Sequence, residues 1–345
     1  MLNRERTQFP RCQRQVGNCV KTHSLVTQRP GDNEMKRLLL ASLLSAGLVA
    51  AATAAPITLT GNYVQVGISD YGTLGSNSST PPGIRHDPSG TGNFTPDGVA
   101  NDYLTPGTPS EAFAVNSLET GFRVNNNYGI DNFGFTSPTL LTGAAANGYD
   151  NAASWTGGLE GSLSITNSYF FNNGDERVLI RTVITALQDL TNLVFGRHLD
   201  PDPDVNRFGS FATVNTRGNS LFAPENLVSA AGTNTGLTIG LLNLSSYTSN
   251  TGISVGCCDI DNPYNVLAGY GPTSPTTNIG DYGLQMAWNI GDLASGASAI
   301  IEYAYVMGDR QDTVGGDNGG TVPEPGSLAL LGLGLAALAR LRRKA

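Results

Sequence analysis

Three aspartates at alternate positions form a group of potential metal ligands in this sequence. They are Asp200, Asp202 and Asp204 in the run RHLDPDPDVNRFG, residues 197–209. In an extended chain alternate residues share a face, so these carboxylates would line one edge with the prolines opposite them. Oxygen ligands at this spacing suit Ca²⁺. The run lacks the glycine and the closing glutamate of a calcium loop, so a rigid solvated loop at a strand end is the alternative.

Cys257 and Cys258 are adjacent, and they are the only cysteines beyond residue 19. They could form a disulfide with each other, pair between chains or stay reduced. In an oxidising compartment we expect an oxidised state. A metal site is not expected here, because the sequence offers neither a C-x-x-C spacing nor a neighbouring histidine.

Acid–base chemistry has few candidates. His86 and His198 are the only histidines after residue 34, and His198 could act with Glu160, Glu176 or Glu302. A lone histidine at a strand end is more often structural. The sequence has no H-E-x-x-H, phosphate-binding or dinucleotide-binding motif. We therefore predict that the protein is not an enzyme.

Residues 55–312 are predicted to form a mainly β domain. Apolar side chains alternate with polar ones in GLQMAWNI and SAIIEYAYVMGD, a pattern typical of half-buried strands. SLSITNSYFF and ERVLIRTVITAL flank the turn NNGD (172–175), which predicts a hairpin. No segment of this region has a sustained 3.6-residue period, so an antiparallel β-sandwich is the expected architecture.

Charge is distributed unevenly along the chain. Residues 55–322 contain eight arginines, no lysine and 24 acidic residues, a net charge of −16. Phosphate backbones would repel this region, which argues against nucleic-acid binding. The charge suits an extracellular protein or one that collects divalent cations.

The segment MKRLLLASLLSAGLVAAATA, residues 35–54, has the order of an export signal. A basic start at Lys36 and Arg37 precedes an apolar stretch, and Ala52-Thr53-Ala54 supplies the small residues that signal peptidase recognises. A signal peptide acts from a free N-terminus. We therefore expect translation to begin at Met35, which makes residues 1–34 an upstream extension.

The C-terminal segment, residues 322–345, combines three features. It begins with Val322-Pro323-Glu324-Pro325, continues with a leucine-rich run, and ends with the cations Arg340, Arg342, Arg343 and Lys344. Prolines keep the first part extended, while the basic end would hold the segment at the cytoplasmic side of a membrane. The uncharged run 326–339 has 14 residues, fewer than the ~20 of a typical span, so a short transmembrane helix with snorkelling arginines is expected. The Gly-rich residues 313–321 would link it to the β domain.

This segment resembles the PEP-CTERM sorting signal. The resemblance implies an exported protein of a Gram-negative bacterium, processed by the membrane transpeptidase exosortase. We expect signal peptidase and exosortase as partners, transient anchoring in the inner membrane, and delivery to the cell surface or an exopolysaccharide (biofilm) matrix.

The alternative is a calcium-dependent carbohydrate-binding or carbohydrate-active sandwich that uses Arg197, His198 and the aspartates. The aromatic side chains of WTGG and SYFF could stack on sugar rings, although in a β protein such residues are more often core. They are Trp155, Tyr169, Phe170 and Phe171.

Overall fold

The computed structural model describes residues 55–78, 80–94, 101–105, 110–254, 257–258, 260–269 and 277–316. This part of the chain is mainly β and its strands pair antiparallel, which confirms the predicted fold class at that level. The predicted signal peptide and the C-terminal helix lie outside the described residues. In the described ranges no helix is long and apolar enough to cross a membrane.

The strands, in chain order, are β1 (Ile57–Thr60), β2 (Val64–Ile68), β3 (Ile84–His86), β4 (Asn101–Asp102), β5 (Ser110–Asn116), β6 (Arg123–Asn126), β7 (Thr139–Leu140), β8 (Asn151–Leu159), β9 (Leu163–Phe171), β10 (Arg177–Ala186), β11 (Leu190–Asp200), β12 (Thr213–Arg217), β13 (Leu227–Gly232), β14 (Thr238–Asn243), β15 (Thr248–Ile253), β16 (Thr277–Gly280), β17 (Leu284–Leu293) and β18 (Ser298–Gly308). They form three sheets, with the orders β1-β2-β3-β4, β16-β12-β13-β14-β18-β10-β9-β8-β7 and β15-β17-β11-β5-β6.

Helices are short. A 3₁₀ helix spans Gly143–Ala146, helix α1 spans Val205–Phe208, and helix α2 spans Pro263–Leu267. The N-terminus of helix α2 is stabilised in two ways. The Asn262 side chain caps it by accepting a hydrogen bond from the Tyr264 N–H, and a proline occupies the first turn. These helices serve as connections between strands.

The hairpin predicted around NNGD is confirmed: β9 and β10 pair antiparallel along their length. The Asp175 N–H donates to the Asn172 carbonyl, and the Asp175 carboxylate accepts from the Asn172 N–H at 2.8 Å. Strict alternation of burial along β10 follows from the two-residue period of its side chains.

The nine-stranded and five-stranded sheets share one aromatic core. Phe195 on β11 and Trp288 on β17 lie 5.6 Å apart between ring centroids, and Trp288 is 4.9 Å from Tyr303 on β18 of the other sheet. Aromatic pairs at such distances each contribute about 0.5–1.5 kcal/mol beyond the area they bury. The faces that carry these rings are therefore held together by direct side-chain packing.

The opposite face of the five-stranded sheet is covered by the connection from β15 to α2. Ile260 packs on Ala112 and Ala114 of β5. Gly196 of β11 lies so close to Pro263 that an added Cβ would fall 2.8 Å from the ring. Glycine is required there because any side chain would displace this covering segment, which carries Cys257 and Cys258.

Candidate functional site

Strand β11 divides the residues of the RHLDPDPD run between two faces of its sheet. Arg197 points into the shared core with Phe195 and Leu199, whereas His198 and Asp200 face the covering segment. Both Arg197 and His198 are at most 1 % exposed. A sugar cannot reach them in the folded protein, so the structure does not gather these residues into the accessible site considered from the sequence.

Arg197 belongs to a buried ionic network. Its Nε donates to Glu111 Oε1, and the hydroxyl of Tyr305 donates to the same oxygen. The other carboxylate oxygen, Glu111 Oε2, accepts a hydrogen bond from the Leu74 N–H at 2.7 Å. Burial raises the pKa of Glu111, while the guanidinium and these donors oppose the shift. The network ties the two sheets together, and the sequence analysis missed it.

His198 is neutral in the folded protein, since burial lowers its pKa to about 3. Neither ring nitrogen has a hydrogen-bond partner within the described part of the chain. Gly283 packs against this ring at a position where a Cβ would collide with it. Glu302, one of the predicted partners of His198, instead forms an ion pair with Arg181. The distance between Arg181 Nη2 and Glu302 Oε1 is 2.7 Å.

Glu176, another predicted partner of His198, lies beside His86. The distance between Glu176 Oε1 and His86 Nε2 is 3.8 Å, and His86 Nδ1 is 3.1 Å from the Tyr103 hydroxyl. Both His86 and Tyr103 are buried. Only the scarcity of histidine in the body could have drawn attention to this group from sequence.

Asp200 and Asp202 are buried carboxyl groups, each 2 % exposed. Burial raises the pKa of Asp200 to about 7, with a contribution from the charge of Asp281 and an opposing hydrogen bond from the Cys258 backbone. Burial also raises the pKa of Asp202 to about 9, and the charges of Asp200 and Asp281 add to the shift. Atom Oδ1 of each lacks a hydrogen-bond partner among the described residues.

Asp204 has a different environment. Its carboxylate accepts hydrogen bonds from the Asn234 N–H at 2.7 Å and from the Thr235 hydroxyl at 2.6 Å. These bonds anchor the turn between β13 and β14. Because they occupy both oxygens, Asp204 acts as a structural anchor, and calcium binding by the three aspartates stays a prediction.

Cys257 and Cys258 form a disulfide with each other. Sγ of Cys258 lies 3.3 Å from Asp200 Oδ2, and the Ser110 hydroxyl donates to the Cys258 carbonyl at 3.3 Å. Potential ligand atoms of Asp200, Cys257 and Cys258 all lie within 4.8 Å of one another, the one such group of three found in the described ranges. Sequence spacing could not show this, because Cys257 lies 57 positions after Asp200.

An open cleft of about 650 Å³ lies beside β12, against the turn 233–236 and residues 309–312. The residues that line it include Thr216, Thr233, Arg310 and Asp312. Two of its lining residues are joined by a hydrogen bond: Gln311 Nε2 donates to the Val214 carbonyl at 2.7 Å. The volume lies within the range of small-molecule sites, and no sequence pattern indicated it.

The aromatic residues considered for sugar stacking are buried instead. Trp155 donates from Nε1 to the Asp70 carbonyl at 2.9 Å, and the Tyr169 hydroxyl donates to the Gly72 carbonyl at 2.7 Å. Phe170 and Phe171 are at most 3 % exposed. All four are core residues, the more common role for such side chains in a β protein.

Comparison with known protein families matches residues 321–344 to the PEP-CTERM protein-sorting motif. The chain carries a PEP-CTERM sorting signal. The match confirms the resemblance seen from Val322 to Pro325 and in the basic tail, and it is confined to this segment. A PEP-CTERM motif marks an exported protein targeted to an exosortase. The matched residues lie outside the described ranges.

Neither the N-terminal predictions nor most of the predicted linker falls within the described residues. Packing does continue past the predicted domain end at residue 312, since Val314 is buried against Leu242 and Val306. The folded body therefore extends to at least Val314 before the PEP-CTERM segment begins.

No curated protein matches the sequence. Among solved structures, the chain is similar to a heparan sulfate lyase mutant from Pedobacter heparinus, at 12% identity and a TM-score of 0.33, covering 52% of this chain and 23% of the lyase. It is also similar to an alpha-mannosidase from Enterococcus faecalis, at 9% identity and a TM-score of 0.37, covering 78% of this chain and 30% of the mannosidase. A galactose mutarotase related enzyme from Lactobacillus acidophilus shows 10% identity and a TM-score of 0.32, and the match covers 73% of this chain and 97% of that enzyme. The chain thus spans about a quarter of the lyase, and similarities at this level carry no argument about activity.

Proposed function

We propose that this protein is an exported, exosortase-processed component of the cell surface or exopolysaccharide matrix, with a non-enzymatic β-sandwich body. The PEP-CTERM match at residues 321–344 is the observation that carries the proposal. After signal peptidase removes residues 35–54, the C-terminal segment holds the protein transiently at the inner membrane. Exosortase then cuts near Pro323-Glu324-Pro325 and releases the body.

Packing of the body supports a sandwich. The core rings of β11 and β17 meet those of β18 in the other sheet, and the Arg197–Glu111–Tyr305 network crosses between the same two sheets. Such an interior is suited to a stable extracellular module.

Burial of the titratable groups supports a non-enzymatic role. His86 and His198 are fully buried, and Asp200 and Asp202 are 2 % exposed. A general acid or base must reach the substrate directly or through one water molecule. These groups are therefore better suited to structural roles.

The test compares intact masses of the protein recovered from its host and from a strain that lacks exosortase. We expect a product without the C-terminal segment in the first strain and a longer, membrane-associated product in the second. Glu324→Gln should block processing, whereas Asp309→Asn, a matched change at an exposed acid before the motif, should not. An intact C-terminus in the exosortase-containing strain would overturn the proposal.

The cleft beside β12 favours a second candidate function, carbohydrate binding, at a place different from the one considered from sequence. Thr216, Arg310 and Asp312 are among the residues that line it, and hydroxyl, guanidinium and carboxylate groups can hydrogen-bond sugar hydroxyls. Calorimetry with a glycan panel, with and without calcium, tests this idea. Arg310→Ala should abolish binding and Arg207→Ala, at another exposed arginine, should not; absence of heat with every glycan removes the candidate.

A further inference from the structure

The covering segment places both sulfurs of the Cys257–Cys258 disulfide over the Asp200 carboxylate at the end of β11. We propose that reduction of this disulfide creates a binding site for a thiophilic divalent cation of the zinc class, held by the two thiolates and by Asp200. The site is distinct from the sorting signal and from the cleft beside β12.

Distances support this ligand set. Zinc binds sulfur at about 2.3 Å and carboxylate oxygen at about 2.1 Å, so a sulfur and an oxygen on the same tetrahedral ion lie about 3.6 Å apart. The distance between Cys258 Sγ and Asp200 Oδ2 is 3.3 Å, and all three ligand groups lie within 4.8 Å of one another. After reduction the sulfurs separate through side-chain rotation, toward the roughly 3.8 Å expected for two thiolates on one tetrahedral ion.

Burial of Asp200 provides an independent indication of a ligand. The residue is 2 % exposed, and its Oδ1 has no hydrogen-bond partner in the described part of the protein. A buried carboxylate oxygen without a partner is costly, and a bound cation satisfies it. Cys257 and Cys258 are only half-buried, so an ion can enter from solvent.

Neighbouring groups orient and charge the site. The Ser110 hydroxyl holds the Cys258 carbonyl, and the Cys258 backbone donates a hydrogen bond to Asp200. Asp202 and Asp281 are the further acidic groups that act electrostatically on this region. The charge of Asp281 favours a divalent cation, whose fourth coordination position would be left for water.

In the cell, the redox step uses an external dithiol as reductant. That reductant supplies two electrons and two protons, the Cys257–Cys258 bond breaks, two thiols form, and the reductant becomes a disulfide. Binding of the cation then displaces one proton from each thiol. Oxidation by a disulfide of higher potential would reverse the process and release the ion.

The experiment uses the exported protein recovered from its host, divided into oxidised and phosphine-reduced portions. Each portion is titrated anaerobically with Co²⁺ as a spectroscopic probe, and Zn²⁺ is then added in competition. We expect thiolate-to-cobalt charge-transfer absorption at one ion per chain in the reduced portion, displaced by Zn²⁺, and none in the oxidised portion. Equal binding by both portions, or no binding by either, would overturn the proposal.

Three variants assign the ligands. Cys258→Ser should abolish the charge-transfer absorption, and Asp200→Asn should weaken affinity by at least about tenfold. Asp202→Asn, a matched change at a neighbouring buried acid outside the ligand group, should retain binding. An affinity of Asp200→Asn equal to that of the unsubstituted protein refutes the three-ligand site.

A second measurement keeps the test independent of folding of the variants. In the reduced unsubstituted protein, Zn²⁺ should protect Cys257 and Cys258 from alkylation by iodoacetamide, as read by peptide mass spectrometry. Equal alkylation with and without Zn²⁺ contradicts the proposal.

Discussion

Removing Arg197 should destabilise the fold, and a second substitution should partly restore it. In Arg197→Met the Glu111 carboxylate keeps its position in the core but loses its cationic partner. Leaving one member of a buried ion pair without the other costs about 3–5 kcal/mol of unfolding free energy. The aliphatic methionine retains much of the packing against the surrounding rings.

Adding Glu111→Gln to Arg197→Met should recover at least about 2 kcal/mol, because it removes the unpaired charge. The amide oxygen of glutamine can still accept from Leu74 N–H and the Tyr305 hydroxyl. In the unsubstituted protein, both terminal nitrogens of Arg197 lack hydrogen-bond partners among the described residues. Removing them therefore relieves a desolvation cost.

Urea unfolding followed by tryptophan fluorescence measures these changes, since both tryptophans, Trp155 and Trp288, lie in the core. The control is Arg181→Met, which breaks the half-exposed Arg181–Glu302 pair and should cost about 0.2–1 kcal/mol. The reasoning is refuted if the double variant is no more stable than Arg197→Met. It is equally refuted if Arg197→Met costs no more than Arg181→Met.

Three further predictions concern pH, a glycine and a turn. The raised pKa of Asp202, about 9, means that the folded state holds a proton which the unfolded chain releases above about pH 4. The contribution of Asp202 to stability should therefore fall as pH rises from about 4 to 9. Asp202→Asn should remove this contribution, about 1.4 kcal/mol per pH unit, from the slope measured in urea titrations, and an unchanged slope contradicts this. Gly72→Ala should cost about 3 kcal/mol or more, because Gly72 has φ +72° and a Cβ there would overlap the Trp155 ring; Gly121→Ala, at φ +61° with nothing near, should cost about 1 kcal/mol in the same assay. Asp204→Ala should leave the Asn234 and Thr235 N–H groups without their acceptor and accelerate their hydrogen exchange; protection equal to the unsubstituted protein would exclude the anchoring role.

Local patterns predicted much of the fold. The alternation in β17 and β18 identified the core-facing side chains, including Trp288 and Tyr303, because successive residues of a strand point to opposite faces. The same period places Arg197 between Phe195 and Leu199 in the core, an indication that the sequence analysis did not use. A charged residue on an apolar face requires a buried partner, but the period cannot identify Glu111, which lies 86 residues away.

The C-terminal segment is the part whose role the sequence alone determined. Prolines, leucines and terminal cations act through their order along the chain, so a linear pattern was enough to identify the PEP-CTERM signal. The antiparallel β character of the body was predictable for the same reason, since side-chain alternation is a local property.

Only the tertiary structure decided what the polar residues of the body do. It placed the adjacent residues Arg197 and His198 on opposite faces of strand β11. It also showed that Asp204 anchors a turn and that Asp200 lies beside Cys258. These outcomes depend on strand pairing and on which segment covers each sheet face. Contacts between residues distant in sequence depend on how the whole chain packs. No local pattern of residues in the sequence indicates them.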